Sequence, residues 1–331
     1  MIVPLRHAAD PCRHPPVEYV VGINSRVRPF WSAVTETLTR CPLCDSTALR
    51  CVDEVALLQA CAQCGYVFNN PRPSPEEIAD YYSRPAKYDS WLAHEGERDA
   101  LWRRRLDKMS VHAVPGSLLD VGAGTGQFLA HARHRFAPVL GTEVSTEAQQ
   151  IAAERYGVEV LRGEIQDIDL PPGAFHNVTM FHVLEHVHDP RRAVRACRRV
   201  LADDGRLFVA VPNDRRALTR LMGAAVRTRS RVAPFLGRQV PSPTLGSSGL
   251  PRLTLDGEVL EIHLSHFTAA VLADLLEREG FEALEVSADP FFVAGGLSLA
   301  VHRVAYAAGQ VLARRRIHLY PALWVMARPV P

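Results

Sequence analysis

The chain has 331 residues, with 38 lysines and arginines against 36 aspartates and glutamates, a formal net charge of +2. Hydrophobic residues make up 47% of the sequence, which is enough to form a buried core. The composition therefore excludes an intrinsically disordered protein. The length predicts about two domains. Residues 1–10 contain no sustained apolar run, so we expect no secretory signal and a soluble, cytoplasmic protein.

Four cysteines near the N-terminus have the spacing of two metal-binding knuckles. They form two Cys-x-x-Cys pairs with sixteen residues between them, at Cys41, Cys44, Cys61 and Cys64. Thiolates favour tetrahedral zinc, and four of them leave no open position for water or substrate. We therefore expect a structural Zn²⁺ ion in a small zinc ribbon over residues 41–70, after an N-terminal extension over residues 1–40. A redox dithiol and a chance spacing are the alternatives. The other cysteines, Cys12, Cys51 and Cys197, are expected to be ordinary, partly buried thiols.

Residues 71–112 are predicted to form a helical linker or cap. Prolines precede a helix start at which Ser74 is a candidate N-cap and Glu77 completes a capping box. Aromatic residues follow at Tyr81, Tyr82, Tyr88 and Trp91. Packing of this helix on a core explains them at least as well as contact with a ligand.

Residues 117–129, with the sequence SLLDVGAGTGQFL, predict a strand, a glycine-rich turn and a helix. Glycine accepts positive φ, so the backbone of such a turn can approach a ligand closely. The dinucleotide-binding fingerprint has a different glycine spacing. Here Asp120 precedes the first glycine, where a carboxylate would repel phosphates and would suit a cationic amino-acid group. The next strand ends at Glu143, which can accept both hydroxyls of a ribose.

Further strands and helices alternate after this point. A strand over residues 158–161 is followed by the segment 163–167, and a strand over 176–181 leads to the loop HVLEHVHDP. A helix from Pro190 and a strand over residues 207–211 complete the series. This alternation predicts a parallel, doubly wound α/β sheet.

In this order the segments resemble the class I S-adenosylmethionine (SAM)-dependent methyltransferases, with the glycine turn similar to motif I of that family. The similarity spans about residues 117–213. It implies a seven-stranded, Rossmann-like methyltransferase domain over residues 113–331, related to the ubiquinone-pathway O-methyltransferases. SAM is then the expected cofactor, with its amino-acid end at Asp120 and the turn, its ribose at Glu143, and its adenine beside Glu164 and Ile165. The candidate cofactor-binding residues are Asp120, Gly122, Ala123, Gly124, Gly126, Phe128, Glu143, Val144, Glu164, Ile165, Phe181 and His182.

Histidines cluster after the fourth strand, where ligands bind in open α/β sheets. His182, Glu185 and His186 lie there, together with His188. One interpretation is general base catalysis by an imidazole that takes the acceptor's proton. A second is a divalent metal site, since Leu-Glu-His resembles the run in ubiquinone-pathway O-methyltransferases, although His182 replaces a glutamate of that pattern. A third is bracing of the loop by hydrogen bonds.

A second histidine pair, His263 and His266, resembles the family segment His-x-x-x-Phe-Thr/Ser before the penultimate helix. The candidate catalytic residues are therefore His182, His186, His263 and His266. The resemblance places the second pair on the opposite wall of the acceptor site, and bracing of the helix start is the alternative. Thr268 is the predicted N-cap of that helix.

The segment between residues 214 and 262 is the least family-like part of the chain. Between Asp214 and Asp256 it holds eight arginines and no acidic residue. Inserted after the fifth strand, it predicts a lid over the site and an anionic acceptor, because arginine binds phosphate and carboxylate bidentately. A solvated loop is the alternative.

The C-terminal region is apolar but does not have the pattern of a membrane span. His302, Arg303 and Gln310 interrupt residues 291–313. We expect no transmembrane segment but a helix between a sixth strand near residues 281–286 and a last strand near 320–326, the hairpin ending that the resemblance implies. Surface association through the arginines at 314–316 is the alternative.

The sequence thus predicts SAM-dependent methyl transfer to a small molecule, at oxygen or nitrogen, in secondary or natural-product metabolism. The alternatives are a sugar C-methyltransferase, an RNA methyltransferase and a non-catalytic SAM-binding partner protein. The sequence does not interleave aromatic with basic residues, as a nucleic-acid-binding surface does, and this argues against a nucleic-acid partner. The intact Asp120, Gly122, Gly124 and Glu143 argue against a non-catalytic protein.

Overall fold

The computed structural model describes residues 35–214, 228, 248, 261–291 and 296–330. They fall into two compact units. The first comprises residues 35–74 with 228, 248, 261 and 262, and the second comprises the rest. Residues 1–34 of the predicted extension, and the predicted lid apart from Asp214, Thr228, Ser248, Glu261 and Ile262, lie outside the described residues.

The first unit is a small antiparallel β structure. Strands β2 (Leu49–Asp53), β3 (Leu58–Cys61) and β4 (Val67–Asn69) form a sheet in chain order, and β1 (Thr35–Glu36) pairs with β5 (Arg72–Pro73). Its small core consists of Ala56, Leu58, Ala60 and Val67. Cys51 on β2 is disulfide-bonded, which corrects the expectation of a thiol.

The second unit contains a seven-stranded sheet in the order β12-β13-β10-β9-β6-β7-β8. Its strands are β6 (Leu118–Val121), β7 (Val139–Glu143), β8 (Val160–Arg162), β9 (Phe175–Phe181), β10 (Leu201–Pro212), β12 (Phe281–Ala288) and β13 (Ala322–Pro329). All neighbours are parallel except those of β13, which is antiparallel to both β10 and β12. The predicted doubly wound, seven-stranded sheet is confirmed, and β11 (Ser265–His266) lies outside it.

Helices connect these strands. Before the sheet come α1 (Pro75–Tyr82), α2 (Asp89–Ala93) and α3 (Glu95–Ser110). Within it come α4 (Gln127–Ala132), α5 (Thr146–Ile151) with a π-helical turn at Ala152–Tyr156, a 3₁₀ turn at Ile165–Asp167, and α6 (Pro190–Val200). Then follow α7 (Ala269–Arg278) and α8 (Gly296–Ala313). The side chain of Thr268 accepts a hydrogen bond from the backbone N–H of Val271, so it caps α7 as predicted.

An aromatic core underlies the carboxyl edge of the sheet. The ring of Phe181, at the end of β9, lies 5.3 Å from that of Phe128 and 5.3 Å from that of Trp324. These rings are buried and fix the ends of β9 and α4. Among the helices that the structure describes, none combines the length and the apolar character of a transmembrane span.

Candidate active site

Asp120 is held at the carboxyl end of β6 by the neighbouring strand. It stands opposite Thr179 of β9, and its Oδ1 accepts a hydrogen bond of 2.6 Å from the Thr179 hydroxyl. Burial raises the pKa of Asp120 to about 7, although the Thr179 hydroxyl and the Arg105 guanidinium act in the opposite direction. The carboxyl group is therefore poised to lose its proton when a cation comes close.

The glycine turn after Asp120 uses backbone conformations that favour glycine. Gly122, Gly124 and Gly126 have φ values of 69°, 53° and 78°. A Cβ atom on Gly122 would also come within 2.3 Å of a methyl carbon of Val183. The backbone N–H of Ala123 donates to the carbonyl of Thr142 at 2.9 Å, which joins the turn to β7.

Glu143, the last residue of β7, is fixed by three backbone N–H groups. Its Oε2 accepts from Gly124 at 2.8 Å, and its Oε1 accepts from Val144 at 2.9 Å and Ser145 at 3.0 Å. Burial raises the pKa of this carboxyl group, and the three N–H donors partly offset that effect. Two buried carboxyl groups thus flank the glycine turn, one at each strand end.

The two carboxyl groups and the glycine turn between them fit SAM. A carboxyl group beside the glycine turn suits the cationic amino group of the ligand, and a fixed carboxylate one strand away suits two ribose hydroxyls. The residues predicted to face the adenine lie at the start of the 3₁₀ turn, where Ile165 is buried and burial raises the pKa of Glu164. The amide of Gln166 donates to the Glu164 carboxylate and orients it. Of the other predicted residues, Phe128 and Phe181 lie in the aromatic core and Val144 is half-buried.

His182 lies between two buried carboxylates directly after β9. Its Nε2 is 3.3 Å from Asp289 Oδ2, and its Nδ1 is 3.3 Å from Glu185 Oε1. Burial lowers the pKa of His182, but the contacts with the Asp289 and Glu185 carboxylates outweigh burial and raise it to about 9. With its pKa at about 9, this imidazole is a cation at neutral pH. Its backbone φ of 57° is unusual for a non-glycine residue.

Asp289 and Arg105 complete this ion network, and sequence analysis missed both. Arg105 of α3 contacts Asp289 through Nη2 at 2.5 Å and Nε at 3.1 Å, and both side chains are fully buried. Burial raises the pKa of Asp289, but Arg105 and His182 outweigh it and bring the value to about 2. One signal was available, because Asp289 directly follows β12 and so lies at a strand end.

Glu185 joins the loop after β9 to the segment before α7. Its carbonyl accepts from the backbone N–H groups of Leu264 at 2.8 Å and Ser265 at 3.0 Å. Burial alone would raise the pKa of its carboxyl group, but neighbouring histidines, His182 first, lower it below the ordinary value. The side chain therefore stays ionised beside the histidines.

His186 and His263 meet at this junction. Their ring centroids are 5.0 Å apart, His186 Nε2 is 3.8 Å from Glu185 Oε1, and His186 Nδ1 is 3.2 Å from the Tyr82 hydroxyl. Ligand atoms of Glu185, His186 and His263 lie within 4.8 Å of one another, a set that could hold a divalent metal ion. His266, on β11, is not a member of this set.

The four cysteines of the first unit converge. Cys41 Sγ is 3.6 Å from Cys64 Sγ, and Cys44 Sγ is 3.5 Å from Cys61 Sγ. In a tetrahedron with Zn–S bonds of about 2.3 Å, sulfur atoms are about 3.8 Å apart. Each pair sits on a tight turn closed by a left-handed residue, Asp45 after the first pair and Gly65 after the second. The arrangement fits a four-thiolate zinc site.

Comparison with known proteins gives a consistent set of relatives. The family described as "Methyltransferase domain" matches residues 94–286, more than half of the chain. The demethylmenaquinone methyltransferase of Thermotoga maritima is 27% identical over 201 residues, which are 59% of this chain and 81% of that protein. The ubiquinone biosynthesis O-methyltransferase of Erwinia tasmaniensis is 30% identical over 182 residues, or 51% of this chain and 71% of that protein.

A solved structure with a similar chain course is the 1,6-didemethyltoxoflavin-N1-methyltransferase of Burkholderia thailandensis, with 1,6-didemethyltoxoflavin and S-adenosylhomocysteine bound. Its sequence identity is 17%, the match covers 82% of this chain and 97% of that one, and the TM-score is 0.45.

Proposed function

The chain belongs to the methyltransferase domain family of SAM-dependent enzymes, and from this premise we propose that it methylates oxygen or nitrogen of a small molecule in secondary or natural-product metabolism. The observation that carries the proposal is the pair of buried carboxyl groups, Asp120 and Glu143, on either side of the glycine turn. SAM supplies a methyl group that its sulfonium already activates. The protein then has to align the reactants, exclude water and accept a proton.

In this proposal each cofactor-binding residue has one task. Asp120 would pair with the amino group of SAM, and the left-handed glycines would let the backbone approach it. Glu143 accepts from three N–H donors, two on Oε1 and one on Oε2, and so keeps a lone pair on Oε2 for a ribose hydroxyl. Ile165 would pack on the adenine, with Glu164 at its polar edge.

Binding of S-adenosylhomocysteine tests these assignments by calorimetry. We expect Asp120→Asn and Glu143→Gln each to weaken binding about 10- to 100-fold, because hydrogen bonds to charged groups contribute about 1.5–3 kcal/mol. Glu159→Gln is the matched control, since Glu159 is an exposed carboxylate beside β8. Unchanged affinity in both site variants would overturn the cofactor assignment.

We assign the general base to His186, with His263 as its neighbour. His182 is a poor candidate for this role, because a cation between two carboxylates has no lone pair to offer at neutral pH. We expect His186→Ala to lower kcat about 10²- to 10⁴-fold with S-adenosylhomocysteine affinity retained. The control is His134→Ala, at an exposed site after α4. Full turnover in His186→Ala and His263→Ala would show that alignment alone suffices.

A divalent metal at Glu185, His186 and His263 is the alternative role for the same residues, and their mutual proximity supports it. Chelation separates the two roles. If dialysis against a chelator abolishes turnover while metal analysis still finds the cysteine-bound zinc, and Mn²⁺ restores turnover, the metal role holds. If turnover is unaffected, the imidazole base holds.

We propose that the four cysteines bind one structural zinc ion. Their Sγ separations support it, and four thiolates leave no position for substrate. Metal analysis should return about one zinc per chain and much less in Cys41→Ser. Cys197→Ser, at a buried free thiol in the second unit, should keep the metal. Equal zinc in the two variants would contradict the site.

The acceptor is proposed to be anionic, on the strength of the arginines between residues 214 and 256. An assay with labelled SAM should therefore compare phosphorylated, nucleotide-linked and uncharged hydroxyl and amine acceptors. Demethylmenaquinone, which the name of the Thermotoga relative gives as its acceptor, belongs in the panel. Preference for an uncharged acceptor would contradict this part of the proposal.

A further inference from the structure

One face of α8 exposes an apolar stripe. Val301, Val304 and Val311 are 63%, 71% and 58% exposed, and their spacing of three and seven residues places them on one side of the helix. The small residues beside them on this surface are also exposed, at Ala300, Ala305, Ala307 and Ala308. Exposed apolar residues are ordinary when scattered, but a contiguous patch marks an interaction surface.

Two more exposed apolar residues follow the helix in the chain. Ile317 and Leu319 are 42% and 46% exposed, immediately after three consecutive exposed arginines at residues 314–316. We name residues 301–319 the α8 surface. It is one continuous segment of chain that carries Arg303 within the helix and the three arginines between the helix and Ile317.

The opposite face of α8 is fixed to the sheet domain. Gln310 Nε2 donates to the carbonyl of Ala288 at 2.9 Å, and a Cβ atom on Gly309 would come within 3.0 Å of Tyr320. Ala313 and Tyr320 are buried. The helix is thus anchored on one side, so the valine stripe faces away from its own domain.

The charged residues of this segment of the chain are all basic. No aspartate or glutamate follows Asp289 in the sequence. Arg303 lies on the exposed part of α8, and the arginines at 314–316 lie at its end. A basic segment with an apolar stripe suits a surface that is anionic at its boundary and apolar below it.

We propose that the α8 surface docks on a membrane of anionic lipids, with the helix lying in the plane of the interface. Spanning does not fit, because Arg303 interrupts the helix and α8 does not meet the length and apolarity that a span requires. A second copy of this chain fits less well. Whether two α8 helices pair in parallel or antiparallel, their arginines come close together. The segment has no acidic residue that could balance the repulsion between these positive charges.

Vesicle flotation with the full chain tests the proposal. The wild type should float with vesicles of phosphatidylcholine and phosphatidylglycerol and remain behind with phosphatidylcholine alone. Replacing Arg314, Arg315 and Arg316 together by Gln should weaken binding about 100-fold at low salt, because each basic residue near an anionic surface contributes about a fivefold gain. Replacing Val301, Val304 and Val311 together by Ser should also release the protein.

Matched controls keep the result interpretable. Val55→Ser and Val111→Ser remove exposed valines elsewhere and should leave flotation unchanged. All variants should retain thermal unfolding and S-adenosylhomocysteine binding like the wild type, which separates this proposal from that of the active site. Absence of flotation, or equal flotation of all variants, would overturn it. So would a concentration-dependent dimer that the valine variant loses, because a second copy would then cover the surface.

Discussion

Replacing Asp289 by Asn tests the buried ion network directly. The change preserves the shape of the side chain and removes its charge. Arg105, which contacts both carboxylate oxygens, then keeps a buried guanidinium without its counter-charge. His182 loses one of its two carboxylate partners.

The structure sets the size of the expected effect. Removing one partner of a fully buried ion pair costs about 3–5 kcal/mol of unfolding free energy. Glu282→Gln is the control, because it removes a carboxylate from an Arg328 pair in the same sheet in which both side chains are about half exposed. An exposed pair of this kind contributes about 0–1 kcal/mol.

The pH dependence of stability gives a second readout. The pKa of His182 is raised from 6.5 to about 9, so its stabilising contribution is complete below about pH 6.5 and is lost as pH rises through 9. The pKa of Asp289 is lowered to about 2, so its contribution is present above its unfolded value of 3.8 and is lost as pH falls through 2. In Asp289→Asn, the loss of stability between pH 6.5 and 9 should shrink.

Urea unfolding at pH 6 and pH 9 measures both effects, and NMR of the imidazole gives the pKa of His182. The reasoning fails if Asp289→Asn is no less stable than Glu282→Gln. It also fails if the variant keeps the wild-type difference in stability between the two pH values.

Three further predictions concern the glycine turn, the cofactor and a helix cap. Gly122→Ala should strongly lower stability and S-adenosylhomocysteine affinity, because the new Cβ would lie 2.3 Å from Val183. Gly173→Ala is the control, because it has the same left-handed strain but its Cβ meets no atom within 4 Å. It should cost only about 1–2 kcal/mol of unfolding free energy. Because the pKa of Asp120 is about 7, calorimetry should show affinity falling from pH 8 to pH 6, and Asp120→Asn should abolish that dependence. Thr268→Ala should destabilise the protein by about 1 kcal/mol in urea, whereas Thr268→Ser should not.

Local pattern was enough to predict the sheet domain. Asp120, the glycine turn and Glu143 lie within a single β-α-β unit, so their order along the chain already implies neighbouring strand ends. The Thr268 cap is likewise a local signal. The seven-stranded sheet followed from the alternation of strands and helices together with the resemblance.

The ion network could not be predicted in the same way. Arg105 and Asp289 are 184 residues apart, and their pairing depends on how α3 lies against the end of β12. The contact of His186 with His263 depends on two backbone hydrogen bonds that Glu185 accepts. The sequence around each of these residues does not indicate which distant residue it will contact.

The network bears on the proposed chemistry through its charge. Arg105, Asp289, His182 and Glu185 alternate in sign, so the four groups together carry no net charge at neutral pH. A network of side chains with no net charge does not attract an ionic acceptor and does not take up a further proton. We therefore assign the proposed proton transfer to His186. Glu185 Oε1 lies 3.8 Å from His186 Nε2 and would stabilise the imidazolium that forms. Glu185→Gln should accordingly lower kcat and shift the acid-side fall in turnover to lower pH, because an imidazole without a neighbouring carboxylate protonates less readily. The affinity for S-adenosylhomocysteine should stay near that of the wild type.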